Sequence, residues 1–135
     1  MLNQGGATAQ YTGILKNLIG LKKDKKAMYF TTGLWSEQCL QQARRHLPAK
    51  KIIEVTNTKD SNYTQMTDPK AWKIDKKASF MHICNNETVH GFEITEDNFP
   101  WEMFPEELVV VADMSSHVGT FDINWKRFDV VYGGC

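Results

Sequence analysis

Leu108, Val109, Val110, Val111 and Ala112 follow one another with no polar interruption and run into an acid, Asp113, with two hydroxyls, Ser115 and Ser116, just beyond. A strand with one wet face alternates apolar and polar side chains, whereas a run without alternation suits a strand covered on both faces in a parallel sheet. The expected fold is therefore α/β, a mostly parallel sheet with flanking helices. In open sheets of this kind ligands bind beyond the carboxyl ends of the strands. An acid emerging there sits in a drying cleft, where a carboxylate needs a cationic partner. A protonated ring nitrogen on a cofactor is one such partner. The competing reading is an Asp that opens a turn and caps the next segment.

The stretches on either side fit the same architecture. Gly5, Gly6, Ala7, Thr8 and Ala9 are small, and Tyr11, Ile14, Leu15, Leu18 and Ile19 then recur at helical spacing, with Gly20 as a stop. A small-residue loop feeding a helix presents backbone N–H groups and the positive end of the dipole, a seat for phosphate to which Thr8 can add a hydroxyl. Glycine turns before helices are also common as plain structure. A strand is expected over residues 27–31. Ser36 and Glu37 then start a helix reaching His46, with Cys39, Leu40, Ala43 and Leu47 as its buried stripe. Trp35, just ahead of that helix, either lies flat against an aromatic ligand or packs between helix and sheet.

Further strands are expected over residues 52–56, 79–84, 92–94 and 130–132. Residues 57–77 read as a long polar surface loop, 96–105 as an acidic and aromatic loop, and 122–128 as a turn or short helix. The segment Asn85-Asn86-Glu87-Thr88-Val89-His90-Gly91 packs donors and acceptors densely after a strand, which points to a site on a rigid sheet. A nicotinamide-dinucleotide site fails its own test. The strand at 27–31 ends in Thr31, Thr32 and Gly33 rather than the acid that would bind the ribose, and Asp24 lies in a lysine-rich turn ahead of it.

Sixteen basic and sixteen acidic side chains cancel, so nothing points to a nucleic-acid or membrane surface. No apolar run approaches a membrane span, and the start lacks a signal-peptide profile. Three widely spaced cysteines, Cys39, Cys84 and Cys135, suggest reduced thiols and a cytoplasmic protein. The four histidines show no metal-ligand spacing, so no metal site is expected. Both ends are expected to fall inside a larger fold, since no strand precedes the glycines and the last strand leads into a turn that goes nowhere.

Four motifs in one order carry a resemblance. Gln4-Gly5-Gly6-Ala7-Thr8-Ala9-Gln10-Tyr11, Thr32-Gly33-Leu34-Trp35-Ser36, Asn86-Glu87-Thr88-Val89-His90-Gly91-Phe92-Glu93 and Val111-Ala112-Asp113-Met114-Ser115-Ser116 resemble the phosphoserine aminotransferase family along essentially the whole chain. The resemblance implies the middle of the large domain of a fold-type I pyridoxal phosphate transferase. The family's N-terminal segment, Schiff-base lysine and C-terminal small domain would lie outside residues 1–135. It implies pyridoxal 5'-phosphate as cofactor, with Ala7 and Thr8 at its phosphate, Trp35 stacked on its ring, Thr88 in contact with it and Asp113 paired with the pyridinium nitrogen. It also implies glutamate and 3-phosphohydroxypyruvate as substrates, a homodimer, and phosphoserine and 2-oxoglutarate as products of serine biosynthesis.

The departures are specific. The family's Gln-Lys follows the turn after the last strand, where this sequence stops at Cys135, and neither Lys126 nor Arg127 matches that lysine. Between Ser116 and Phe128 the family's basic residue, Pro and Asp give way to Phe121, Asp122 and Asn124. Two readings follow. One is a part of a working aminotransferase; the other is a non-catalytic remnant that holds the cofactor loosely or pairs with another subunit. Trp35, Thr88 and Asp113 favour the first, and the 121–124 segment favours the second. On either reading the 135 residues alone are expected to be inactive.

Overall fold

A computed structural model describes residues 5–120 and 122–134; Gln4, Phe121 and Cys135 lie outside the described residues. In chain order the elements are helix α1 (Ala7–Leu18), strand β1 (Ala27–Thr31), helix α2 (Leu34–His46) and strand β2 (Ile52–Asn57). Strands β3 (Phe80–Cys84), β4 (Asn86–Glu87), β5 (Phe92–Glu93), β6 (Val109–Asp113) and β7 (Val130–Tyr132) come next, with short 3-10 turns in several of the connections. Five strands form one parallel sheet in the order β2-β1-β3-β6-β7, and β4 pairs with β5 in a separate antiparallel hairpin.

The packing explains why the strands lack alternation. Met28 and Phe30 of β1, Met81 and Ile83 of β3, and Val110 and Ala112 of β6 enter one core cluster, while Ala27, Tyr29, Phe80 and Val111 enter the other. Successive side chains point to opposite faces, so both faces of each central strand are buried and both must be apolar. Both helices cover the second cluster, through Tyr11 and Leu15 of α1 and Cys39, Leu40 and Ala43 of α2. No helix covers the first face among the described residues. Aromatic loop residues do so instead: Trp72 meets Phe30 edge-on with centroids 5.1 Å apart, and Phe99 and Phe104 close around the same ring.

That packing corrects the expectation of a purely surface loop over residues 57–77. Trp72 is buried there because the sheet face without a helix needs its apolar area, and Tyr63 because its ring packs on His90 while its hydroxyl donates to Glu37. Two helix starts also differ from expectation. The first helix begins at Ala7, inside the small-residue run, since alanine is the strongest helix former. The second begins at Leu34 rather than Ser36, which places Trp35 within the first turn. Ser36 caps backward from inside the helix, its hydroxyl oxygen accepting the Thr32 and Gly33 N–H groups at 2.8 and 3.1 Å. The strand that opens at Val109 keeps Asp113 as its last residue, paired across the sheet with Cys84 on one side and Tyr132 on the other.

Candidate functional site

Two helix N-termini stand at the carboxyl edge of the sheet, and they are treated oppositely. The start of α2 is closed by side chains from the β4–β5 hairpin. Glu87 accepts the Trp35 and Ser36 N–H groups, each at 2.9 Å, and His90 Nδ1 accepts the Leu34 N–H at 3.2 Å. Glu87 has no exposed surface, so a carboxylate is built permanently into the positive end of that dipole. Among the described residues the start of α1 carries no side-chain cap and no acid in its first turn. Its N–H groups and positive end are left for something else.

A cleft of about 370 Å³ opens between α1, α2 and the loops that follow β3 and β6. Its walls include Ala7 and Tyr11 of α1, Trp35 of α2, Cys84 at the end of β3 with Asn86 and Thr88 beyond it, and Asp113 at the end of β6 with Ser115 and Ser116 beyond it. The size and mixed lining suit one small, mostly flat ligand held by a few polar groups. The two loops are tied together by the Ser116 hydroxyl, which accepts from Thr88 Oγ1 at 2.8 Å and from Asn86 Nδ2 at 2.9 Å. Thr88 is exposed at the rim but held by that bond.

Asp113 is only 4% exposed. Its Oδ1 accepts the Ser115 N–H at 3.0 Å and the Ser115 hydroxyl at 2.6 Å. Among the described residues no lysine, arginine or histidine forms an ion pair with it. A buried carboxylate without a cation is costly, and two hydrogen bonds offset only part of that. The groups around it are held neutral. Burial, then the Asp113 charge, pushes the Tyr11 phenol far above its ordinary range. Burial pushes the Cys84 thiol up as well, helped by the Glu87 and Asp113 charges. Burial takes His82 down to about 4 against the opposing pull of Asp113. The Tyr11 hydroxyl is buried in the cleft wall with no hydrogen-bond partner among the described residues.

The structure thus brings Ala7, Trp35, Thr88 and Asp113 to one cleft, from four places up to 106 positions apart in the chain. Thr8 falls outside the lining, exposed on the first turn of α1. Sequence reasoning treated Tyr11 only as part of the helix stripe and gave Glu87, Tyr132 and His82 no role. Helical spacing marks Tyr11 as buried but does not tell that its hydroxyl faces a cleft. Glu87 becomes a cap only through a contact 51 residues away, for which the sequence carries no local signal.

Comparison with known proteins agrees with this geometry. The family model described as Aminotransferase class-V matches residues 4–134. A probable phosphoserine aminotransferase of Dictyostelium discoideum is 31% identical over 134 residues, covering 97% of this chain and 34% of that protein. Phosphoserine aminotransferase of Drosophila melanogaster is 34% identical, with 99% and 34% covered. Among solved structures, phosphoserine aminotransferase from Bacillus circulans subsp. alkalophilus superposes with a TM-score of 0.76 at 25% identity, covering 97% of this chain and 34% of that one. The PLP-bound enzyme from Trichomonas vaginalis superposes with a TM-score of 0.71 at 28% identity, covering 92% and 32%. The chain spans about a third of the length of each of these proteins.

Proposed function

The chain belongs to the class-V aminotransferase family, and from that premise we propose that it is part of the large domain of a phosphoserine aminotransferase. The reaction would move the amino group of glutamate to 3-phosphohydroxypyruvate, giving phosphoserine and 2-oxoglutarate. A cytoplasmic homodimer belongs to the same proposal. The observation that carries it is Asp113, a buried carboxylate with no cation among the described residues, on the wall of a cleft that Trp35 also lines.

The residues present fit pyridoxal 5'-phosphate. A protonated ring nitrogen supplies the cation that Asp113 lacks, and the open start of α1 at Ala7 suits a phosphate where the closed start of α2 does not. Trp35 offers an aromatic wall for stacking, Thr88 a hydroxyl steadied by Ser116, and Tyr11 a buried hydroxyl free to donate. When bound, the cofactor supplies an electron-accepting ring that lets an amino acid lose its α-proton. Asp113 would hold the proton on the ring nitrogen, because an ionised acid in a dry site favours the charged partner. Ser115 fixes the orientation of that acid, and its own hydroxyl oxygen accepts the Gly134 N–H at 3.0 Å, which holds the turn after β7 at the cleft. In the family the lysine that moves the α-proton comes after this turn.

The test is tryptophan fluorescence during titration with pyridoxal phosphate. Quenching is expected in the natural protein and is expected to be lost in its Trp35→Ala variant, with binding weakened at least tenfold by Asp113→Asn. Equal quenching with and without Trp35 would overturn the stacking assignment, and unchanged affinity in Asp113→Asn would overturn the pairing.

A further inference from the structure

Three adjacent strands place one polar side chain each behind the cleft: His82 on β3, Asp113 on β6 and Tyr132 on β7. Asp113 and Tyr132 are register partners in the parallel β6–β7 pair. The Tyr132 hydroxyl lies 2.8 Å from His82 Nε2, and burial, then neighbouring charges that include Asp113, pushes the phenol far up. His82 is buried, and its Nδ1 has no hydrogen-bond partner among the described residues. The Tyr11 ring meets the His82 and Tyr132 rings edge-on at 6.1 and 6.2 Å.

This arrangement is expensive as structure alone. A buried imidazole with one nitrogen unsatisfied weakens a sheet core that apolar residues would pack without penalty, so the group calls for another explanation. The direction of the hydrogen bonds supplies it. The phenol has one proton, and if that proton went to His82 the Asp113 carboxylate would face only phenolic lone pairs. Both contacts are satisfied when His82 Nε2–H donates to the Tyr132 oxygen and the Tyr132 O–H donates to Asp113. The unpartnered Nδ1 then buries a lone pair rather than a proton.

We propose that Tyr132 and His82 are positioning residues, a buried donor chain in which the Tyr132 O–H donates to Asp113 and keeps it aimed at a ring nitrogen. The inference rests on the cofactor reading of the cleft given above. Ser115 secures Oδ1 from the loop side, and the Tyr132–His82 pair secures the acid from within the sheet. Removal of the phenolic donor takes away one charge-assisted bond, which corresponds to about tenfold in the strength of the acid–nitrogen pairing.

Two measurements on the full chain as the cell makes it test the proposal. Selective 15N-histidine NMR without cofactor should find the His82 ring as the neutral Nε2–H tautomer down to pH 5; the Nδ1–H form would overturn the donor chain, and no variant is needed. Affinity is then compared for pyridoxal phosphate and for its benzene-ring analogue, with carbon in place of the ring nitrogen. Tyr132→Phe is expected to weaken pyridoxal phosphate about tenfold and to leave the analogue unchanged. Equal losses for both ligands, or no loss for either, would overturn the positioning role while leaving the cofactor reading intact. Failure of the unaltered protein to bind pyridoxal phosphate at all would overturn both.

Discussion

Gly33 offers a direct test of how the start of α2 is built. Its φ is 173°, extended backbone that any residue adopts, so conformation does not demand glycine there. Crowding does. A Cβ at position 33 would lie 2.4 Å from Glu87 Cδ and 2.6 Å from its Cγ and Oε2. Glu87 cannot swing aside, since it is fully buried and both carboxylate oxygens are engaged by the Trp35 and Ser36 N–H groups. Gly33→Ala should therefore expel the carboxylate and leave two N–H groups unpaired, at about 3 kcal/mol. Glu87→Ala removes the same two bonds and should cost about 3 kcal/mol by itself. Because each substitution destroys one shared interaction, the double variant should also cost about 3 kcal/mol rather than 6, a coupling of about 3 kcal/mol. Urea denaturation of the four proteins gives the cycle from midpoints at constant slope. Additivity within about 0.5 kcal/mol would refute the idea that Gly33 exists to admit Glu87.

Other expectations concern pH and activity. His82 is pushed down by burial to about 4 in the folded chain, against an unfolded value near 6.5. The unfolded state alone therefore binds this proton in the window between, and stability falls as pH drops through it, by about 2 kcal/mol from pH 7.5 to 5. Denaturation at the two pH values should show that component in the natural protein and lose it in His82→Asn; an unchanged pH dependence would refute the assignment. No lysine lines the cleft among the described residues, so the 135 residues alone should form no phosphoserine from glutamate and 3-phosphohydroxypyruvate. Product above background in a coupled assay would show that another group moves the α-proton.

The α/β class was legible because it rests on local pattern. A run such as Val109 to Ala112 has no polar face to offer water, whatever surrounds it, and so dictates a strand buried on both sides. That Trp35, Thr88 and Asp113 would share one edge of the sheet was legible because each comes after a strand or at its end, and ligands collect at that edge of such sheets. The start of α2 was not legible, because Glu87 and His90 reach it from more than 50 positions away and no neighbour of Ser36 signals their arrival. Nor was the burial of Trp72 in a stretch whose composition is polar; it results from a sheet face that no helix among the described residues covers. Hydrophobic periodicity reports which side chains leave water. Which polar atoms meet inside, as Asp113, Tyr132 and His82 do, depends on the register of three strands that are distant in the chain. Only the tertiary structure decides that register.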